Sequence, residues 1–379
     1  MAERNLFIFI DSLGWEILKN HSFLSHLTQT RVPLKTPLGY SSAAVPTILS
    51  GQVPSQHGHW SFFYYSPKTS PFKWLRTLAL IPSFIRERGR FRGILSKVLN
   101  KVLNFSGYFQ LYNTPFQYIH LFDYCEKKDI FKPGGFNAGE SIFDVLTTRG
   151  IDYFVSDWHQ SDATNLREAK NAFVKPDISF GFLYLNELDA HIHRVGTKHA
   201  LISEKLAWYE KMIVDLYEES KNSGPLNLYI FSDHGQADVH SIVDVEEKIK
   251  SLSLTFGKDY VAYYDSTMAR FWFLQPQAEK EIRNELEEIL EGTIMSDSEL
   301  EALGAYWANH QFGDLIFLMK PGVLIVPSFM GRKPMAAMHG YHPADPSADG
   351  IFLSNVNLEK NPAHLKDIFP LMVEKVFQH

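Results

Sequence analysis

The chain has 379 residues, more than one compact core usually holds, so a large domain with a smaller appendage is expected. Hydrophobic residues at 45% and charged residues at 21% are the proportions of a soluble globular protein. A formal net charge of −6 argues against whole-chain binding to a polyanion, and the single cysteine, Cys125, excludes an intramolecular disulfide. The opening MAERNLFIFID carries an apolar run too short for a signal peptide, and no run reaches the length that spans a bilayer. A cytoplasmic location and no integral membrane segment are expected.

Residues 6–10 (LFIFI) are continuously apolar, which predicts a strand buried on both faces, and Asp11 follows at once. A carboxylate there either caps a helix begun by Ser12, Leu13 and Gly14 or binds a cation. In residues 35–51 (KTPLGYSSAAVPTILSG), Ser41, Ser42, Ala43 and Ala44 open a helix that ends near Gly51. A serine at a helix N-terminus lies beside free N–H groups and the positive dipole end, which favour a phosphate anion. The bland alternative is that Ser41 or Ser42 only caps the helix.

Residues 62–135 are rich in aromatics and proline. Within them, residues 73–101 hold Lys73, Arg76, Arg86, Arg88, Arg90, Arg92, Lys97 and Lys101 against one acid, Glu87. A helix over 140–149 and strands over 153–155 and 180–185 follow. Asp189 and His193 are four residues apart, one helical turn, so both face one side; His191 is the competitor. A helix over 199–219 leads to a strand over 226–231, then Asp233 and His234, with Gly235 expected to permit a turn. Oxygen and nitrogen donors of this kind suit Zn²⁺ or Mn²⁺. Residues 239–334 bring helices over 277–290 and 297–303 and apolar runs at 269–274 and 315–318. His339 comes last, with His342 as its competitor.

Strands alternating with helices predict an α/β fold with a mostly parallel sheet flanked by helices. Residues 1–238 with 335–379 would form the catalytic core, 62–135 an aromatic and basic insertion in it, and 239–334 an inserted α+β cap.

In this order the motifs resemble the alkaline phosphatase superfamily, and within it the type I phosphodiesterase/nucleotide pyrophosphatase branch. The chain shows Ser50-Gly51 followed by Pro54-Ser55-Gln56-His57-Gly58, then Glu187-Leu188-Asp189-Ala190-His191-Ile192-His193, Ser232-Asp233-His234-Gly235 and His339-Gly340-Tyr341. Ten residues before Gly51, Ser41 takes the nucleophile's place. The resemblance implies two divalent metal ions, Zn or Mn, one held by Asp189, His193 and His339 and the other by Asp11, Asp233 and His234, with Ser41 bridging them. It implies hydrolysis of a phosphodiester or pyrophosphate in a small-molecule substrate through a seryl-phosphate intermediate. Ser41 replaces the threonine usual in that branch, and Ser42, Ala43, Ala44, Val45 and Pro46 lack its Pro-Asn-His. Ala43 and Val45 stand where a sulfatase carries Pro and Arg, which argues against that chemistry.

The same site would serve a phosphomonoesterase, a mutase or a phosphoryl transferase. A non-enzymatic reading rests on residues 73–101, whose charge and apolar content suit an anionic lipid surface or a nucleic acid. With every implied ligand position filled, catalysis without a nucleic-acid partner is expected, and peripheral lipid contact is kept as a possibility.

Overall fold

The computed structural model describes residues 3–377. The central sheet has six strands, ordered Thr30–Leu34, Gly350–Ser354, Leu226–Phe231, Arg4–Ile10, Phe180–Leu185 and Tyr153–Val155. The last four run parallel, and Gly350–Ser354 is antiparallel to both neighbours. The predicted strands thus form, and helices flank the sheet they build.

Every residue of Arg4–Ile10 is buried because both faces are covered. Alternation sends Phe7 and Phe9 to one face, against Ile48, Leu49 and the helices Ile142–Thr148 and Ile368–Phe377. Leu6, Ile8 and Ile10 face the helices Asp162–Phe173 and Ala200–Ser220. Cross-strand neighbours on the first face stack: Phe7 on Tyr229 and Phe9 on Tyr184, each with ring centroids 4.6 Å apart.

Helix bounds follow capping chemistry. The helix expected over 140–149 runs Ile142–Thr148, because Ser141 and Asp144 close a capping box at its start. Ser41–Ser50 ends on Gly51, whose φ of 70° is the left-handed conformation of a helix C-terminus.

Within residues 239–334 an antiparallel sheet is ordered Tyr260–Tyr264, Met268–Phe273, Leu315–Met319, Gly292–Ile294, with the helix Pro276–Glu287 beside it. Aromatic residues of 62–135 pack into the same cluster: Phe63 stacks on Tyr263 at 5.2 Å, and Phe122 meets Trp272 at 6.2 Å. Residues 62–135 and 239–334 therefore share one apolar core. Among the described residues, no helix is long and apolar enough to cross a membrane.

Candidate active site

The register of three parallel strands sets the site. Phe9 lies opposite Phe231 and Ile10 opposite Leu185, so Leu226–Phe231, Arg4–Ile10 and Phe180–Leu185 end level. Their carboxyl ends deliver Asp233, Asp11 and the helix Glu187–Val195 to one edge, where an open parallel sheet binds ligands. Asp189 and His193 lie on one face of that helix, with His193 Nε2 3.2 Å from Asp189 Oδ1. His339 follows the short strand Ala337–Met338, which pairs with Ala237–Asp238.

Two triads result. Asp189, His193 and His339 place one ligand atom each within 4.8 Å of one another, and so do Asp11, Asp233 and His234. The triads adjoin: the His234 and His339 rings stack at 3.8 Å, and His339 Nε2 lies 3.8 Å from Asp189 Oδ1. Ser41 Oγ lies 3.0 Å from His234 Nε2. Ser41 is the first residue of its helix and Tyr40 is the N-cap, so Ser41 does not cap. Ser42 is turned away and donates to the carbonyl of Trp60 at 2.7 Å. Asp11 caps nothing either, since the short helix Trp15–Leu18 starts from Gly14 without a side-chain cap.

The competing histidines stay outside. His191 Nδ1 meets the Glu187 carbonyl at 2.6 Å, and His342 Nε2 lies 3.2 Å from Glu299. His57 of the Pro-x-x-His-Gly run is buried and bonded to Thr47 at 3.1 Å, bracing the Ser41 helix from within. Glu187 supports structure too, accepting from the Asp162 amide at 3.1 Å and pairing with Lys205 at 2.7 Å.

Several partners were not foreseen. Ser12 N–H donates to Asp233 Oδ1 at 3.1 Å, and Gln236 Nε2 donates to Ser12 Oγ at 2.9 Å and Asp189 Oδ1 at 2.8 Å. Tyr184 O–H donates to Asp11 Oδ2 at 2.5 Å. Their only sequence signal is adjacency: Ser12 follows Asp11, Gln236 follows the Asp-His-Gly run, and Tyr184 is the polar tip of an apolar strand. Gly235 takes no positive φ; a Cβ there would lie 2.4 Å from the Ser347 carbonyl, so it is close backbone approach that requires glycine at this position.

Histidine tautomers are set by backbone acceptors. His193 Nδ1 lies 2.9 Å from the Ala337 carbonyl and His234 Nδ1 3.1 Å from the Gly235 carbonyl, which leaves each Nε2 for the site. Burial, then the carboxylates of Asp233 and Asp189, push Asp11 well above the usual carboxylate range. Burial also opposes ionisation of Asp189, but His193 and then His339 and His234 hold it below that range. Burial and the neighbouring His234 push His339 well down, keeping it neutral.

Asp11 Oδ1, Asp233 Oδ2 and His339 Nδ1 are buried without a hydrogen-bond partner. Unpaired buried carboxylate oxygens beside like charges are costly unless cations complete them. The donor set of three carboxylates and three imidazoles fits divalent ions such as Zn²⁺ or Mn²⁺.

The site opens into a cavity of about 520 Å³ walled by Phe62, Tyr108, Tyr112, Phe131, Trp158 and Tyr184. Glu126, Asp129 and Asp265 add carboxylates, while Lys333 is the one lysine or arginine lining it among the described residues.

A family model described as type I phosphodiesterase / nucleotide pyrophosphatase matches residues 5–342. No curated protein matches the sequence. Among solved structures, human ectonucleotide pyrophosphatase / phosphodiesterase 5 is similar with a TM-score of 0.69 at 14% identity, over 98% of this chain and 94% of that one. The murine protein of the same name, as an inactive variant in complex with AMP, gives 0.69 at 15% identity over 99% and 95% of the two chains. The same murine protein in another structure gives 0.67 at 15% identity over 98% and 94%. These likenesses show a shared fold.

Proposed function

Because the chain belongs to the type I phosphodiesterase/nucleotide pyrophosphatase family, and is a hydrolase of that type, we propose that it cleaves a phosphodiester or pyrophosphate bond through a seryl-phosphate intermediate on Ser41. The observation that carries this reading is Ser41 Oγ, 3.0 Å from His234 Nε2, on the wall of a roomy cavity lined by one lysine or arginine among the described residues. A monoester brings an extra negative charge and calls for an arginine or lysine beside it; a diester calls for space and few charges.

Asp189, His193 and His339 would hold one divalent cation, and Asp11, Asp233 and His234 a second. Such a pair, when bound, supplies charge neutralisation at the phosphoryl oxygens and lowers the proton affinity of a neighbouring hydroxyl. Ser41 presents Oγ from the first turn of Ser41–Ser50, where the Ser41 and Ser42 amides lack intrahelical acceptors and would be free to donate to a phosphoryl oxygen. Its oxygen gives its proton to solvent and forms the new bond to phosphorus as the bond to the ester oxygen breaks and that oxygen takes up a proton; water then adds to phosphorus, and the serine leaves again as its hydroxyl. Gln236 and Ser12 hold Asp189 and Asp233 in place, and the aromatic walls exclude water around the organic part of the substrate. The murine relative's AMP complex supports a small-molecule phosphate ester as the substrate class.

Turnover of bis-nitrophenyl phosphate against nitrophenyl phosphate tests the reading. The diester should be preferred, and Ser41→Ala should abolish its hydrolysis while leaving metal content unchanged. Wild-type turnover in Ser41→Ala would remove Ser41 from the mechanism, and a monoester preference would reverse the substrate class.

A further inference from the structure

The helix Gly89–Val102 buries Arg92, Ser96 and Leu99, whose spacing defines one helix face. The Arg92 guanidinium is spent there, donating to the Tyr112 and Thr114 carbonyls at 2.8 and 2.9 Å and covering the Phe116 ring at 4.5 Å. A helix on a water-facing surface turns polar residues outward. This one turns Ile94, Val98 and Val102 outward, exposed by 67%, 51% and 68%. Arg90, Lys97 and Lys101 stand exposed beside them. The short helices Lys73–Leu80 and Ser83–Arg86 before it add Leu80 and Phe84, 89% and 66% exposed. Of the thirteen large exposed hydrophobic side chains among the described residues, seven fall within residues 74–102.

Charge accompanies this apolar surface. Residues 73–101 carry eight lysines and arginines against one acid, in a chain whose net charge is −6. That acid, Glu87, is bridged to Arg332 at 2.8 Å. Arg332 lies between Gly331 and Lys333, both on the cavity wall, so the patch adjoins the cavity's rim. Exposed apolar side chains flanked by cations match the boundary between acyl chains and anionic headgroups. A second copy of an acidic chain offers this cationic face less charge complement than an anionic bilayer does, and a nucleic acid leaves the apolar stripe in water.

We propose that residues 74–102 form a docking surface for an anionic lipid bilayer and set the rim of the cavity at the membrane surface. The proposal is independent of the chemistry assigned to Ser41.

Co-sedimentation of the full chain with phosphatidylcholine vesicles, with and without phosphatidylglycerol, tests it. The protein should pellet with the phosphatidylglycerol vesicles alone, and added salt should release it. The triple variant Arg90→Gln, Lys97→Gln, Lys101→Gln should partition about a hundredfold more weakly. Ile94→Ser with Val98→Ser should weaken partition by about tenfold or more. Wild-type hydrolysis of bis-nitrophenyl phosphate by both variants shows that fold and site are intact, so a failure of docking stands apart from a failure of the proposed reaction. Binding to neither vesicle, or equal binding to both, overturns the proposal. So does a vesicle-free dimer dissolved by the serine variant, or nucleic-acid binding lost in the glutamine variant without any vesicle binding.

Discussion

Tyr40 and Thr267 hold each other by two hydrogen bonds: Tyr40 Oη lies 2.8 Å from Thr267 Oγ1 and accepts from the Thr267 N–H at 3.0 Å. Tyr40 immediately precedes Ser41, and Thr267 sits in the turn between Tyr260–Tyr264 and Met268–Phe273. The Thr267 hydroxyl in turn donates to the Gly340 carbonyl at 3.0 Å, next to His339. One threonine thereby ties the antiparallel sheet to both the serine and a distant histidine of the site. Thr267→Val strips the hydroxyl from Tyr40 Oη and the Gly340 carbonyl, so denaturant unfolding should show a loss of about 1–3 kcal/mol. kcat on a diester should fall more than KM rises; an unchanged kcat would mean that this contact does not position Ser41.

Cations should contribute to stability as well as chemistry. Burial and the charges of Asp233 and Asp189 act together against an ionised Asp11, so the ion-free site is strained. A chelator should lower the melting temperature of the wild type, and zinc or manganese should restore it. The stabilisation at a hundredfold excess over Kd is about 2.7 kcal/mol. Asp233→Asn should lower metal content by elemental analysis and make melting insensitive to the chelator. Full occupancy in that variant would take Asp233 out of the ligand set.

Glu126 on the cavity wall should give a pH signature. Burial, then the Asp129 carboxylate, push it up to about 8, against a bond from the Tyr108 backbone. The unfolded value is about 4.3, so the folded state holds an extra proton between those values and stability falls as pH rises through them. Glu126→Gln should match the wild type near pH ~4 and exceed it above pH ~8 by on the order of a few kcal/mol. Parallel stability curves for the two proteins over that range would refute the assignment.

Arg270 is wholly buried, pairs with Asp265 at 2.8 Å and lies over the Tyr263 and Trp272 rings at 5.1 and 5.5 Å. Arg270→Leu leaves the Asp265 carboxylate buried and unpaired, which should cost about 3–5 kcal/mol. Adding Asp265→Asn should recover much of that loss. A single variant as stable as the wild type would show that water reaches Asp265.

What the sequence determined is what short-range chemistry can write. Apolar runs marked the strands Tyr153–Val155, Phe180–Leu185 and Leu226–Phe231 residue for residue, the inner two because a strand covered on both faces is apolar throughout. One helical turn put Asp189 and His193 on one side, while Ser41 was preferred to Ser42 only through the family resemblance and its interval to Gly51. The tertiary structure alone decided the rest. Asp11, Asp233 and the 187–195 helix meet because parallel register brings three strands to a common end. Ser12 and Gln236 bond to Asp233 and Asp189 across more than forty positions of chain. Gly235 is needed for a neighbour over a hundred residues away, and residues 62–135 and 239–334 share one core. Periodicity and capping act over a few residues, whereas contact between distant segments depends on register and packing, which no local pattern encodes.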